Sequence, residues 1–126
     1  MGLENTINEQ TIERLVRVFY PMVLEDTLLA PFFIKKLGSD IMGEKWEEHL
    51  VVLSQFWAFV ALDDEVYKGH PLAPHFDIEG LTRKAFMRWL SLFHEAIDKV
   101  YVESLGIFFK DKSADIAENF MRKLGL

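Results

Sequence analysis

Cysteine is absent from this chain of 126 residues. Its absence excludes disulfides, thiolate metal sites and a cysteine nucleophile, and it suits a reducing compartment, so we expect a cytoplasmic protein. A hydrophobic run long enough to cross a bilayer is also missing, because the longest apolar stretch covers only residues 50–62. The first ten residues are polar and acidic, unlike a signal peptide. These features predict no membrane partner.

Positive charge is scarce. The chain has 14 Lys and Arg residues against 20 Asp and Glu residues, a net charge of −6. This balance disfavours nucleic acid and anionic membrane surfaces as partners. Aromatic residues are plentiful instead, at 13% of the chain with eleven phenylalanines. They either fill the core or line a pocket for a flat apolar ligand. The length fits one domain, residues 1–126, which we expect to be a monomer.

Apolar residues recur at helical spacing along most of the chain, and strand alternation is not evident, so the predicted fold class is all-α. Helices are predicted at about residues 11–28, 43–62, 82–102 and 113–124. Asn8 or Thr11 is expected to cap the first helix, and Ser113 the last.

Prolines and glycines set the predicted boundaries. Pro21 lies inside the first helical pattern and is expected to kink it. Pro31 is expected to break the chain into a turn over residues 28–38. Residues 63–80 are interpreted as a connector with a short helical turn near His75, and residues 101–109 as a helix end and a turn.

Three polar rings, Tyr20, His49 and His75, are predicted to point into the aromatic core, and Trp89 adds an indole N–H. Burying a polar ring costs free energy unless the ring has a partner. Each of them alone is usually a core residue with one hydrogen bond. Their joint occurrence favours a metal ion bound by one imidazole, and haem would also explain the aromatic surplus.

Other sites fit the sequence less well. Glu-x-x-His pairs for a di-iron site and a His-Glu-x-x-His zinc motif are missing. His70 and His75 could share a zinc ion, but a third ligand is not evident nearby, and we interpret His70 and His94 as surface or pocket-rim residues. The sequence has no Gly-x-Ser-x-Gly motif and no glycine-rich phosphate loop.

Several segments together resemble the truncated haemoglobins of the third group. The resemblance covers about residues 7–124 and rests on "RVFYPMVLEDTLLAPFF", "KWEEHLVVLSQFW", "YKGHPLAPHFDI" and "FMRWLSLFHEAIDKVY". It implies a shortened globin fold, a sandwich of two helices on two helices around haem b. The double-glycine motifs of the first two groups are missing, as the third group leads one to expect.

The resemblance also implies residue roles. His75 matches the proximal histidine that ligates haem iron, and Tyr20 matches the distal tyrosine that donates a hydrogen bond to the diatomic ligand. Trp89 matches the tryptophan whose N–H reaches the same ligand, and His49 the distal histidine that gates access. The expected pocket residues are Phe33, Trp46, Leu53, Phe56, Trp57 and Leu72. Pro21 departs from the family pattern and is expected to shift the Tyr20 hydroxyl.

These roles predict binding of oxygen, nitric oxide and carbon monoxide. Two donors to a bound ligand would slow its release, which favours redox chemistry such as nitric oxide dioxygenation or peroxide handling over transport. A flavin or nicotinamide motif is not present, so turnover would need a separate reductase. The alternatives are a non-enzymatic haem carrier or ligand sensor, and a helical interaction protein that has lost haem.

Overall fold

The computed structural model describes residues 2–67 and 69–126, and these residues form an all-helical structure with no strand. Met1 and Lys68, the latter part of one motif quoted above, lie outside the described residues. The helices are α1 (Glu9–Glu25), α2 (Ala30–Leu37), α3 (Glu44–Leu62), a 3₁₀ helix (Ala73–Asp77), α4 (Arg83–Val100) and α5 (Glu103–Leu124). Glu4 and Tyr101 form an isolated bridge. The predicted fold class is therefore confirmed.

Helix α1 begins with a reciprocal cap. The Asn8 side chain accepts the Thr11 N–H at 2.9 Å, and the Thr11 hydroxyl oxygen accepts the Asn8 N–H at 3.0 Å. The predicted Asn8 cap is confirmed. The helix continues through Pro21, so the missing backbone donor does not end it. It stops at Glu25 rather than near residue 28, because the Asp26 carboxylate accepts the Leu29 N–H and turns the chain.

The predicted turn over residues 28–38 is wrong, because this segment contains α2. Pro31 lies in the first turn of that helix, where a backbone N–H has no partner within the helix and the proline φ already suits the helix. Gly38 ends α2 with a positive φ of 82°. Pro31 therefore begins a helix, and the helix carries Phe33 toward the core.

The prediction of a turn at residues 101–109 and of a Ser113 cap is also wrong. Helix α5 already begins at Glu103, and Ser113 is fully buried in its middle, where its hydroxyl donates to the Lys110 carbonyl at 3.1 Å. Gly106 allows a close approach inside this helix, since a Cβ there would lie 3.0 Å from the Ile97 Cγ2. Its role is close packing of α5 on α4.

Helix α1 packs against α2, α3 and α4, and α4 packs against α5. The buried side chains form two clusters. The main core includes Phe19, Tyr20, Trp46, Trp57 and Phe93. The minor core contains Phe86, Ala117 and Met121, with Phe120 packed against it. Among the described residues, no helix is both long and apolar enough to cross a membrane.

Candidate functional site

Tyr20 lies at the centre of an aromatic group inside the protein. Its position on the inner stripe of α1 buries it to 5% exposure. The ring centroids of His49, Phe33 and Trp46 lie 5.6, 5.8 and 5.8 Å from that of Tyr20. We call these four residues the Tyr20 cluster. The structure thus brings together a phenol from α1, a phenylalanine from α2, and an indole and an imidazole from α3.

His49 is the polar member of the Tyr20 cluster that lacks a partner. Its Nε2 is buried and has no hydrogen bond among the described residues. Burial also lowers the pKa of His49 to about 4, so the ring is neutral at physiological pH. A neutral imidazole with an unpaired nitrogen can form one hydrogen bond with a group that reaches it.

Trp46 and Phe33 are the walls of the cluster. Trp46 is fully buried, and its indole N–H donates to the Gly38 carbonyl at 2.8 Å. Phe33 stacks on Trp46 with a centroid distance of 6.1 Å, and its edge faces Tyr20. The polar atom of Trp46 is therefore satisfied, and both rings present apolar surface.

Trp89 lies on α4 and reaches the cluster through Phe19. Its ring stacks on Phe93 at 5.1 Å and meets the edge of Phe19 at 5.6 Å, and Phe19 in turn contacts Tyr20 at 4.7 Å. Burial raises the pKa of the Tyr20 phenol well above its usual range, and the neighbouring Trp89 indole N–H, which can only donate toward the phenol oxygen, opposes part of this shift. Tyr20 thus keeps its proton at neutral pH, and the non-titrating indole N–H of Trp89 is a second donor beside it.

His75 lies in the 3₁₀ helix and belongs to a different aromatic group, so the prediction that it points into the same aromatic core as Tyr20 and His49 is wrong. Its ring centroid is 5.1 Å from that of Phe120 and 6.0 Å from that of Phe86, beside the minor core. Its Nδ1 lies 2.7 Å from the Pro71 carbonyl oxygen. Because a carbonyl only accepts, Nδ1 carries the proton and Nε2 keeps its lone pair.

This tautomer is the one that a histidine needs to ligate a metal ion through Nε2. A second hydrogen bond on the far nitrogen fixes the ring orientation and increases the basicity of the ligand nitrogen. Burial lowers the pKa of His75, which favours the neutral ring, while hydrogen bonds to the backbone of Pro71 and Leu72 oppose this shift. The arrangement therefore fits the ligation of one iron ion by Nε2.

The remaining predicted pocket residues occupy different depths. Leu53 and Phe56 on α3 are half-buried and pack against the main core. Trp57 is only 3% exposed and stacks on Phe93 at 5.0 Å, inside the main core. The Leu72 carbonyl accepts the His75 N–H at 2.9 Å and so shapes the turn that carries His75.

The sequence did not predict the partners of His75. Pro71 precedes His75 by four residues, but nothing in the pattern indicates that its carbonyl meets the ring. Phe120 on α5 is distant in sequence, and its contact depends on the fold. His94 lies 3.3 Å from the Ser113 hydroxyl through its Nε2, and His70 is exposed.

A multidentate metal site is not visible in the described part of the chain. Across residues 2–67 and 69–126, no three His, Asp or Glu side chains are placed so that they could share a metal ion. Haem iron needs only one protein ligand, because the porphyrin supplies four nitrogens. The observed donor set, one oriented imidazole and a separate group with two protonated donors, matches that requirement.

Comparisons with known proteins give one curated relative and one solved structure, and no family model matches. The chain is 34% identical over 119 residues to a group 3 truncated haemoglobin of Campylobacter jejuni, covering 94% of this chain and 92% of the relative. It also superposes on the crystal structure of a group III truncated haemoglobin from Campylobacter jejuni with a TM-score of 0.91 and 32% identity. That superposition covers 98% of this chain and 95% of the other.

Proposed function

Since the chain belongs to the group 3 truncated haemoglobins, we propose that it binds haem b through His75 and uses it for redox chemistry on diatomic gases. Membership confirms both the family resemblance and the shortened globin fold. Haem binding follows from the family, and the finer assignments are our proposal. We further propose a cytoplasmic monomer that works with a separate reductase.

The observation that carries the proposal is the orientation of His75. The Pro71 carbonyl takes the Nδ1 proton at 2.7 Å and leaves Nε2 as the free ring nitrogen. Phe86 and Phe120 give the imidazole an apolar surrounding that suits a flat macrocycle. When bound, haem supplies an iron with an open position that takes oxygen, nitric oxide or carbon monoxide and exchanges electrons.

Tyr20 and Trp89 are proposed to stabilise the bound gas. An oxygen ligand held there would carry partial negative charge, and the Tyr20 hydroxyl and the Trp89 indole N–H would each donate toward it, since Tyr20 keeps its proton at neutral pH. Each well-aligned donor in a dry site stabilises such charge by about 1–3 kcal/mol. Two donors would make oxygen release slow, which suits chemistry on oxygen better than its transport.

His49 is proposed to control access on the same side. Its ring centroid lies 5.6 Å from that of Tyr20. Its pKa of about 4 keeps the His49 ring neutral at physiological pH. The neutral ring excludes water without adding charge, and its buried Nε2 is free for one hydrogen bond. Phe33 and Trp46 close the apolar wall beside it.

Replacement of the donors tests this role. Tyr20→Phe removes one hydroxyl, and the ferrous protein should then release oxygen about 5- to 150-fold faster in stopped-flow displacement by carbon monoxide. Trp89→Phe should act in the same direction. Tyr101→Phe is the matched control, because the Tyr101 hydroxyl bonds Thr11 at 2.9 Å and is not part of the Tyr20 cluster. Release from Tyr20→Phe at the parent rate would contradict the proposal.

Nitric oxide turnover separates a redox enzyme from a haem carrier or sensor. The ferrous protein, equilibrated with oxygen and supplied with an electron donor, should consume nitric oxide over many turnovers and release nitrate. A single turnover, even with the donor in excess, would favour the carrier or sensor and contradict the redox proposal. Either result leaves haem binding by His75 to be tested by itself.

A further inference from the structure

Phe93 stacks with two indoles in the interior of the protein. Its ring centroid lies 5.0 Å from that of Trp57, with 22° between the planes, and 5.1 Å from that of Trp89, with 14°. Rings at such distances, within roughly 4.5–7 Å, are in direct contact. The three π-systems are therefore continuous. Trp89, at one end, lies beside the phenol of Tyr20, which is proposed to meet the bound gas.

The ring contacts continue from Trp57 toward the surface. The edge of Phe56 meets Trp57 at 5.2 Å, and the same ring lies 5.4 Å from that of Tyr67. Tyr67 belongs to the connector after α3 and is half-buried. We call the five rings that follow one another in this way the aromatic path: Trp89, Phe93, Trp57, Phe56 and Tyr67.

Tyr67 is the tyrosine of this chain that reaches solvent. The chain has three tyrosines, and the other two, Tyr20 and Tyr101, are only 5% and 1% exposed. The Tyr67 hydroxyl lies against Gly69, an exposed residue, where an added Cβ would be 2.6 Å from the phenol oxygen. Burial raises the pKa of Tyr67, so its phenol is protonated at neutral pH. The aromatic path thus ends at the surface in a protonated phenol.

The chemistry of this end differs from that of the interior rings. Because cysteine is absent, phenols and indoles are the side chains that give up a single electron most readily. A phenol that does so also loses its hydroxyl proton, and water or a base must take it.

A second branch of ring contacts lacks such an outlet. It runs from Trp57 through Phe109 to Tyr101, with centroid distances of 6.1 and 4.9 Å. The Tyr101 hydroxyl is buried and donates to the Thr11 hydroxyl oxygen at 2.9 Å. A neutral hydroxyl is a poor base, so the proton has no acceptor there. Tyr67 is therefore the end at which an electron and a proton can leave together.

We propose that Tyr67 supplies electrons through the aromatic path after hydrogen peroxide has oxidised the haem. This inference rests on the proposed function. Hydrogen peroxide takes up two electrons and two protons and leaves as two water molecules. Tyr67 gives one electron by way of Trp57 and Trp89 and releases its hydroxyl proton to water.

A phenol in solution restores Tyr67. It transfers a hydrogen atom, which is one electron with one proton, and its O–H bond is of the same kind as that of tyrosine. Two such transfers replace the two electrons that each peroxide takes, and two phenoxyl radicals are released. The path would in this way carry oxidising equivalents out of the Tyr20 cluster and away from the buried rings.

The test locates the unpaired electron with a spin trap, nitroso-tert-butane. The haem-loaded parent, Tyr67→Phe, Trp57→Phe and the control Tyr101→Phe are mixed with hydrogen peroxide and the trap, and their tryptic peptides are analysed by mass spectrometry. Tyr67→Phe keeps the ring that packs on Phe56 and removes only the hydroxyl. Circular dichroism and haem absorbance before mixing show whether the variants are folded and equally loaded.

The parent should carry the trap on Tyr67, and an added phenol should prevent this labelling. Tyr101→Phe should be labelled as the parent is. Trp57→Phe should lose most of the label at Tyr67, because an oxidisable ring of the path is missing. Tyr67→Phe should lose its haem absorbance faster than the parent under repeated additions of peroxide with phenol present.

Three results would overturn this inference alone: labelling of Tyr20 or Tyr101 in place of Tyr67, unchanged labelling of Tyr67 in folded Trp57→Phe, or labelling of Tyr67 in the haem-free chain. Loss of haem absorbance from Tyr67→Phe at the parent rate would do the same, and this variant does not depend on a buried substitution. A parent chain that takes up no haem would contradict the proposed function, and the inference with it.

Discussion

The imidazole of His49 has a buried nitrogen without a partner among the described residues, and this feature bears on why a histidine stands there. Its Nε2 is the buried side-chain polar atom without a hydrogen bond in the described chain. Leaving such a group unpaired costs about 1–3 kcal/mol of folding free energy. A leucine would fill the same place on α3 without this cost, so the histidine is poorly explained by stability. Its contact with Tyr20 agrees with the proposed role of His49 toward the ligand.

His49→Leu should therefore stabilise the fold. We expect the free energy of unfolding in urea to rise by about 1–2 kcal/mol, because an unpaired buried nitrogen is replaced by apolar atoms. His94→Leu is the matched control, since the Nε2 of His94 has a partner in Ser113 and its loss should give no gain. An equal loss of stability in both variants would show that His49 has a partner in solution.

The pH dependence of stability follows from the same residue. The pKa of His49 falls from 6.5 to about 4 on folding, so the unfolded chain binds more protons between these values. This titration therefore leaves the free energy of unfolding unchanged above pH 6.5 and lowers it as the pH falls toward 4. Urea midpoints measured across this window should fall less steeply in His49→Leu than in the parent. Identical slopes would contradict the lowered pKa.

At the scale of the elements, amphipathic stripes predicted α1, α3 and α4 to within a few residues, because these helices bury one face against each other. The errors came from residues whose meaning depends on position or on the fold. Pro31 starts α2, although proline usually suggests a break. Residues 101–109 were interpreted as a helix end and a turn, yet Gly106 in this segment lies within α5 and allows its close approach to Ile97. Such close packing cannot be read from local sequence.

Proline substitution tests the corrected start of α5. Ile107 is 58% exposed and lies inside the helix, so Ile107→Ala should change stability little. Ile107→Pro should lower the unfolding free energy by about 3 kcal/mol or more, because it removes a helical hydrogen bond and clashes with the preceding turn. Thermal unfolding followed by circular dichroism measures both. Tolerance of the proline would support the turn that the sequence suggested.

At the scale of the whole molecule, the fold separates into two groups the polar rings that the sequence predicted to lie in one aromatic core. Polar rings in apolar stripes indicated Tyr20, His49 and Trp89, and the structure places them in or beside one aromatic group. The sequence could not predict that His75 would meet Phe120 or that Pro71 would fix its tautomer. These contacts join segments or atoms whose approach is set by the packing of the helices.

The central claim is that His75 is the protein ligand of haem iron, and a haem titration followed by its Soret absorbance tests it most directly. The parent and the control His70→Ala, which changes an exposed histidine of the same connector, should give a saturable one-to-one band and a five-coordinate ferrous spectrum. His75→Gly should lose the band and regain it when free imidazole is added, which separates ligand loss from unfolding. A His75→Gly variant that binds haem as the parent does, without imidazole, would contradict the account.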